Sequence, residues 1–205
     1  MIRRLKERHF DAIKKHFGSL SSEDLRLRFG MSVNSQWVCD NYVGKLNAHR
    51  DILLGVFSGE DLVAFCHGAV CGHSVELGLS VLESHRGTGL GSLMIERVKA
   101  FAAAEGVGDV YVMCASDNTS MLMLARRHGM RMTSDHGESE GHVGVNEITG
   151  GDLAAAAADE MVADAADLGV DAFAIPMTVA TRMHTQFSQI YLDAQARAAK
   201  IFSMA

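Results

Sequence analysis

Six residues, Arg86 to Gly91, carry the strongest chemical signal in this sequence. They read Arg-Gly-Thr-Gly-Leu-Gly and lie between a strand-like run, Ser74 to Leu82, and a helix-like run, Gly89 to Glu105. Glycines let the backbone approach a ligand closely, and the first N–H groups of a helix point outward with the positive end of its dipole. Arg86 adds a cation beside these donors. The stretch therefore predicts a site for a pyrophosphate, and hence for a phosphate-bearing cofactor.

Two other nucleotide-binding folds also use a glycine-rich turn, and neither fits this sequence. The Rossmann fingerprint needs Gly-x-Gly-x-x-Gly near the first strand, with an acidic residue about 20 residues later. Here Gly87, Gly89 and Gly91 alternate instead. The P-loop needs Gly-Lys-Ser or Gly-Lys-Thr, which the stretch lacks. What remains is an Arg-x-x-Gly-x-Gly pattern that opens a helix.

The elements that must position this turn are predicted from apolar spacing and from turn residues. Three strand-like runs joined by tight turns favour an antiparallel meander over residues 51–57, 62–70 and 74–82. After the glycine-rich helix come a short apolar strand, Asp109 to Ala115, and a second helix, Asn118 to His128. This alternation predicts a βαβ unit with a parallel strand pair and a right-handed crossover.

The ends of this region complete the predicted fold class, a mixed α/β (α+β) domain over residues 1–148 with a mostly antiparallel sheet. A short first strand, Ile2 to Leu5, precedes a helix with apolar residues at helical spacing. Ser21 is expected to cap a second helix. Residues 130–134 and 142–148 are predicted to form a closing hairpin around a loop at 135–141.

Composition and charge argue against several classes of function. The 205 residues carry a net charge of −6, which gives no support to nucleic-acid binding. No segment approaches the ~20 uncharged apolar residues of a membrane span, and no apolar run of a signal peptide follows the N-terminus. The four cysteines have mostly apolar neighbours and are predicted to be reduced thiols of a cytoplasmic protein. Histidines and cysteines lack the spacing of a zinc site, so no metal is predicted.

The region from Met1 to Ile148 resembles the GNAT superfamily of acyl-CoA N-acyltransferases. The specific parts are Leu79 to Gly91 and Asn118 to Met130, and the second resembles the family's motif after the fifth strand, where an Asn opens a helix that ends in Gly and an apolar residue. The front end, His16 to Phe29, resembles bacterial members, protein-lysine acetyltransferases above all. The resemblance implies a GNAT fold, acetyl-CoA as co-substrate and a primary amine as acceptor.

The resemblance also implies roles for the residues around the turn. Backbone N–H groups would hold the pyrophosphate of acyl-CoA, and these residues are Arg86, Gly87, Thr88, Gly89, Leu90, Gly91 and Ser92. The backbone of Leu79 and Val81 would pair with the pantetheine arm as if it were another strand, and an N–H near Val81 would polarise the thioester carbonyl. Asn118 would contact the pantetheine or the reacting region from the other side.

A glutamate on the fourth strand is the general base in many members, and Glu76 stands there between Val75 and Leu77. A carboxylate among so many apolar neighbours is expected to be a good base near neutral pH. The alternative is an exposed strand residue paired with a cation. The resemblance therefore makes Glu76 the candidate that takes the proton from the acceptor amine.

The general acid is where the sequence departs from the family. Many members place a tyrosine in the helix after the fifth strand, but that position looks like Ala125 here, and the tyrosines are Tyr42, Tyr111 and Tyr191. A thiol with a pKa near ~8.5 leaves tolerably as the anion. Ser120 is a candidate proton donor, unless it is only a first-turn helix residue. No cysteine is placed as an obvious acyl carrier, so direct attack in a ternary complex is predicted.

The acceptor stays open at the level of sequence. In the family it is recognised by the first two helices and the last hairpin, and here that hairpin carries Asp135, Glu138 and Glu140, which would attract a cationic amine or form a solvated turn. A protein lysine would need an open groove, whereas a polyamine, amino acid or antibiotic would suit a closed pocket. The remaining alternative is a CoA-responsive binding module without catalysis.

Residues 149–205 are predicted to form an alanine-rich, mainly helical extension. The composition shifts at residues 149–151, and apolar residues from Val179 to Phe202 mark one face of a long helix. Such a face needs a partner surface. It would cover the domain, close a homodimer or wall the acyl pocket.

Overall fold

The computed structural model describes residues 2–145, which form one sheet with helices packed against it. In this part of the chain the strands are β1 (Ile2–Arg4), β2 (Ile52–Ser58), β3 (Asp61–Cys71), β4 (Ser74–Val81), β5 (Asp109–Ala115), β6 (Arg131–Asp135) and β7 (Glu138–Gly144). The helices are α1 (Phe10–Gly18), α2 (Ser22–Phe29), α3 (Ser35–Asn41), α4 (Leu90–Ala104) and α5 (Thr119–Arg127).

The sheet has the strand order β1-β2-β3-β4-β5-β7-β6. Every neighbouring pair is antiparallel except β4 and β5, which are parallel and connected through α4. The predicted fold class, a mixed and mostly antiparallel sheet with flanking helices, is confirmed. The predicted extension at 149–205 lies outside the described residues, as do residues 146–148 of the predicted domain.

The parallel pair of β4 and β5 is short, so the two strands separate within the sheet. β4 and β5 pair only from Ser74 opposite Asp109 to Glu76 opposite Tyr111. Beyond this point β4 continues to Val81 and β5 to Ala115 without pairing to each other. The two strands therefore diverge in the middle of the sheet.

Side chains of β4 alternate between two faces of the sheet. The odd-numbered residues, such as Val75, pack against α4 in one hydrophobic core. The even-numbered residues, Glu76, Gly78 and Ser80, face α1 and α2, where the Ser80 Oγ atom lies 2.8 Å from His16 Nε2. The second core, on this face, is built mainly from α1, α2 and α3 with β2 and β3.

Local signals explain where two of the helices begin. Ser21 caps α2 as predicted, because its Oγ accepts a hydrogen bond from Asp24 N–H at 3.1 Å. Helix α3 was not anticipated from the sequence, since it is short and buries only Val38 completely. Its start is nevertheless encoded, because Asn34 Oδ1 accepts from Trp37 N–H at 2.8 Å.

The closing hairpin is tighter than predicted. Asp135 pairs with Glu138, so His136 and Gly137 alone connect β6 to β7. Both have positive φ angles, 45° and 88°, which is typical of a type I′ turn. The prediction of a loop over residues 135–141 is wrong, because its polar residues from Glu138 onward pair as a strand with one face toward solvent.

No helix within residues 2–145 is long and apolar enough to cross a membrane. The four cysteines, which are Cys39, Cys66, Cys71 and Cys114, are free thiols.

Two histidines, the buried His16 and the mostly buried His67, make the stability of the face beneath α1 and α3 depend on pH. The Nδ1 atom of His16 lies 2.7 Å from the carbonyl oxygen of Leu62, and burial lowers the pKa of its ring. Burial, and next the charge of Arg28, lower the pKa of His67 to about 4. Both rings are therefore neutral in the folded protein at neutral pH, and protonation opposes folding.

We expect the free energy of unfolding to fall as the pH drops from 7 toward 4. His67 has an ordinary pKa of 6.5 when unfolded but about 4 when folded, so the unfolded state binds more protons in this window. The shift corresponds to on the order of 3 kcal/mol. Urea unfolding at several pH values should show a shallower pH dependence in His67→Gln than in the wild type.

The exposed His49 provides the matched control for this experiment. The His49→Gln variant should keep the pH dependence of the wild type. Identical slopes for His67→Gln and the wild type would show that His67 does not stay neutral in the folded protein.

Candidate functional site

The divergence of β4 and β5 opens a cleft of about 470 Å³. One wall is Leu77 to Val81 of β4, and the other is Val112 to Cys114 of β5. The first turn of α4 and the helix α5 form its two lips, and residues of α2 also line it. With the exception of Thr88, the sequence-predicted residues from both motifs therefore meet at one place. The predicted base, Glu76, is not among the lining residues.

The glycine-rich turn forms one lip, where α4 begins. Gly87 and Gly89 have φ angles of 75° and 86°, in the left-handed region that favours glycine. The N–H of Leu93 donates to the carbonyl of Gly89 at 3.1 Å, as the first bond of the helix. The N–H groups of residues 90–92 have no acceptor inside the helix. Because these three residues line the cleft, it has donors suited to an anion.

The edge of β4 supplies a second row of backbone groups. The N–H of Leu82 donates to the carbonyl of Val63 in β3 at 2.9 Å. Since successive backbone groups of a strand point to opposite sides, the N–H groups of Val81 and Leu79 point toward β5, which has moved away. An extended ligand in the cleft can therefore pair with β4 as a replacement strand.

Gly91 lets α4 approach the strand and the opposite lip. A Cβ atom at this position would lie 3.0 Å from Leu124 Cδ2 and 3.2 Å from Leu79 Cδ2. A Cβ atom here would require these two leucine side chains to shift by a few tenths of an ångström. The third glycine of the motif therefore serves close packing, whereas the first two serve backbone conformation.

Arg86 is not the free cation that the sequence suggested. Its Nε donates to the carbonyl of Val81 at 3.0 Å, and its Nη2 lies 2.7 Å from Asp24 Oδ1 of α2. The guanidinium thus ties the glycine-rich turn to β4 and α2, and Asp24 offsets its charge. An exposed cation that sequence reasoning missed lies on the other lip: Arg127 of α5 lines the cleft and has no ion-pair partner within residues 2–145. The two adjacent arginines at the end of α5 were the available signal.

The other predicted polar residues divide into occupied and open side chains. Asn118 caps α5 by accepting from Met121 N–H at 3.1 Å, and its Nδ2 donates to the carbonyl of Leu27 at 3.3 Å. Thr88 Oγ1 donates to the carbonyl of His85 at 2.7 Å. Ser120 lines the cleft with an exposed side chain and no hydrogen bond to residues 2–145.

Glu76 stands at the last residue pair before the strands diverge. Its side chain is exposed, so the expectation that apolar neighbours surround it is wrong. Val75 and Leu77 are fully or nearly fully buried, but they point to the opposite face of the sheet. Tyr111 Oη donates to Glu76 Oε2 at 3.3 Å, and the Tyr111 ring stacks on His142 with centroids 5.3 Å apart.

The acidic residues of the hairpin lie outside the cleft lining. Glu140 is held by His142, whose Nε2 is 3.0 Å from Glu140 Oε1 and whose Nδ1 is 2.8 Å from Asp109 Oδ2. The hydrogen bond to Asp109, together with that to Glu140, raises the pKa of His142. Asp135 and Glu138 are exposed. Any role of these acids in recognition would act at the rim.

Two observations bear on the general acid and on a cysteine as acyl carrier. Ala125 is fully buried, and neither Tyr42 nor Tyr111 lines the cleft, while Tyr191 lies outside the described residues. Cys114 does line the cleft, but burial raises the pKa of its thiol. A protonated thiol is a poor nucleophile, so this geometry favours direct attack over an acylated cysteine.

Comparisons with known proteins were informative at the level of family and fold. The model of the acetyltransferase (GNAT) family matches residues 20–130. The GNAT domain of S. lividans PAT is 16% identical, with 70% of this chain and 89% of that chain covered and a TM-score of 0.61. PaiA N-acetyltransferase from Thermoplasma acidophilum, solved in complex with coenzyme A, is 13% identical, with 70% and 98% covered and a TM-score of 0.58.

A third solved structure is spermidine N-acetyltransferase from Vibrio cholerae in complex with CoA and spermine. It is 12% identical, with 72% of this chain and 96% of that chain covered and a TM-score of 0.57. At such identities the likeness shows a shared fold. No curated protein sequence matches the chain.

We expect Asn118→Ala to lower the free energy of unfolding by about 1 kcal/mol, because α5 loses the acceptor for its first turn. Asn118→Asp keeps an acceptor oxygen but cannot donate to Leu27, and it should recover most of the loss. Urea unfolding measures both. Asn34→Ala removes the cap of α3, outside the cleft lining, and should cost a similar amount. Wild-type stability in Asn118→Ala would rule out this capping role.

Proposed function

The chain belongs to the GNAT acetyltransferase family, and we propose that it transfers an acetyl group from acetyl-CoA to a primary amine by direct attack in a ternary complex. The family is one of acyl-CoA-dependent enzymes, so acyl transfer is the established part. The observation that carries the proposal is the coincidence, in one cleft, of helix-start donors and an unpaired strand edge.

The cleft supports a specific placement of acetyl-CoA. The pyrophosphate would accept hydrogen bonds from the N–H groups of residues 87–92, with the guanidinium of Arg127 and a ring nitrogen of His85 as further donors at the rim. The amides of the pantetheine arm would pair with Leu79 and Val81 along the open edge of β4. The thioester carbonyl would then lie at the open edge of β4, where an N–H near Val81 would polarise it.

The reaction needs a base, because an ammonium group has no lone pair for attack. Glu76 lies at the inner end of the diverging strands and would take this proton, directly or through water. The amine nitrogen then bonds to the thioester carbon, the carbon–sulfur bond breaks and the sulfur keeps the electron pair. The nitrogen loses its second proton to water or to the departing thiolate, which leaves a neutral amide. Ser120 is the candidate donor to that sulfur, and a thiolate also leaves without help.

The acceptor in this proposal is defined only as a primary amine. A protein lysine and a small amine both provide such an amine. The alternative is a domain that binds CoA without catalysis, and turnover of any amine in a substrate screen would exclude it. The free thiols of the described cysteines support our proposal that the protein is cytoplasmic.

Replacing Glu76 tests the base. We expect Glu76→Gln to reduce kcat by ~10²–10⁴ while acetyl-CoA affinity stays unchanged, because the amide cannot accept the proton. Steady-state kinetics with an amine identified by screening, measured across pH, gives the result. Glu60→Gln changes an exposed glutamate in the β2–β3 turn and should leave the rate unchanged. Near-normal turnover of Glu76→Gln at every pH would remove Glu76 from the mechanism.

Replacing Gly89 tests the donor site. We expect Gly89→Ala to weaken acetyl-CoA binding at least tenfold in calorimetry, because a Cβ disfavours the φ of 86° that orients the helix start. Gly59→Ala places the same strain, at φ 60°, in the distant β2–β3 turn. Both variants should lose ~1–2 kcal/mol of stability. Equal acetyl-CoA affinity in the two variants would contradict the proposed placement.

A further inference from the structure

Arg28 of α2 places a guanidinium in the cleft, against the backbone of β4. It lines the cleft beside Gly78, and a Cβ atom at Gly78 would collide with the guanidinium. A glycine is therefore required at this position for the arginine to reach the strand. Gly78 has no positive φ, so close approach is the reason for the glycine.

Aromatic groups hold this guanidinium in place. Its Nη2 donates to Tyr42 Oη at 2.9 Å, and its central carbon lies 5.1 Å from the ring centroid of Phe29 and 5.5 Å from that of Tyr42. The Nε atom is buried and has no hydrogen-bond partner within residues 2–145. The side chain is thus preorganised, yet one of its donors is unsatisfied.

The charge of Arg28 is also unbalanced, in contrast to the charges of Arg26 and Arg86. Arg26 on the same helix lies 2.6 Å from Glu23 and 2.8 Å from Asp117, and Arg86 lies 2.7 Å from Asp24. Within residues 2–145 no carboxylate oxygen lies within 4.0 Å of the Arg28 guanidinium. A partly buried cation without a counter-ion is costly, and an anionic ligand removes that cost.

Three polar side chains around Arg28, those of Tyr42, Cys66 and His67, are uncharged at neutral pH. Burial raises the pKa of Tyr42 to about 12, and it raises that of Cys66 to about 12. His67 is neutral as described above, and it lies between Tyr42 and Asp51, with Tyr42 Oη 2.8 Å from its Nδ1. The carboxylate of Asp51 is paired with Arg50 at 2.8 Å. None of these groups supplies Arg28 with a directly bound anion.

Arg28 and the candidate base lie on the same side of β4. Glu76 and Gly78 are two residues apart and face the same way, so their positions are separated by about 6.6 Å along the strand. We propose that Arg28 binds a carboxylate of the acceptor, which makes the substrate a small amino acid whose amine faces Glu76. This inference rests on the proposed acetyltransferase function and narrows its acceptor.

The test compares pairs of acceptors that differ only in the carboxylate, such as an amino acid and its amide. The amino acids tested represent every class of side chain. With the wild type, kcat/KM should favour the acid by about 10- to 100-fold, as expected for a lost charge-assisted hydrogen bond. In Arg28→Gln this preference should vanish through a higher acceptor KM, with acetyl-CoA affinity unchanged. Arg28→Lys should keep part of it.

Two further variants guard against a simple folding defect. Gly78→Ala leaves Arg28 in the chain but displaces its guanidinium, so it should also lose the preference for acids. Arg26→Gln removes an arginine of the same helix that does not line the cleft, and it should retain the wild-type preference. Thermal unfolding of each variant identifies any that fail to fold.

The outcomes separate this inference from the function on which it rests. Turnover of amides and decarboxylated amines as good as that of acids would overturn the role of Arg28 but leave the acetyltransferase intact. A loss of acetyl-CoA affinity in Arg28→Gln, with the preference retained, would assign Arg28 to the cofactor. If no amine is turned over, the proposed function fails. Calorimetry of amino acids with the CoA complex then tests Arg28 separately. Binding that is lost in Arg28→Gln would support its role in carboxylate binding, and binding that is retained would overturn it.

Discussion

The early end of pairing between β4 and β5 is the constraint on which the rest of this structure depends. Past Glu76 and Tyr111 the two strands have no hydrogen bonds to each other, although both continue. Backbone groups inside a fold must bond to something, and here a ligand or water has to take the place of the missing strand. The unpaired edge of β4 therefore gives the cleft polar backbone groups, while apolar side chains of β4, β5 and α5 line much of the rest.

Helix α2 is bonded to both lips of this cleft. Its Asp24 pairs with Arg86 at the start of α4, and the Leu27 carbonyl accepts from Asn118 at the start of α5. Arg26 adds a contact to Asp117, next to that cap. The polar residues of α2 thus act as braces, and Arg28 alone among its charged side chains has no bound counter-ion.

This arrangement changes how the charged residues of the motif are understood. An arginine at the head of the glycine-rich turn suggests a phosphate ligand, but Arg86 is bonded to Asp24 and to the Val81 carbonyl. The groups of the turn that remain available to an anion are then backbone N–H groups, whose direction is set by the left-handed Gly87 and Gly89. Because Arg86 is paired with Asp24, the arginines of the cleft lining that lack an ion-pair partner within residues 2–145 are Arg28 and Arg127.

Much of the fold was predictable because its signals are local. The apolar runs of β2 to β5, the cap at Ser21, and the glycines that open α4 each act within a few residues. The hairpin turn and α3 were missed because their local signals are weak. His136–Gly137 is a less familiar two-residue turn, and α3 buries too few side chains to show a period.

The sequence by itself determined most of the strands and helices in their order, and the two motifs that meet in the cleft, because propensity and spacing operate between near neighbours. Only the tertiary structure decided that Glu76 is exposed, that Arg86 is neutralised and that Arg28 is not. Those outcomes depend on partners from distant parts of the chain, such as Asp24 for Arg86 and Gly78 for Arg28. Charge and burial at a site are set by such long-range neighbours, and no local pattern specifies them.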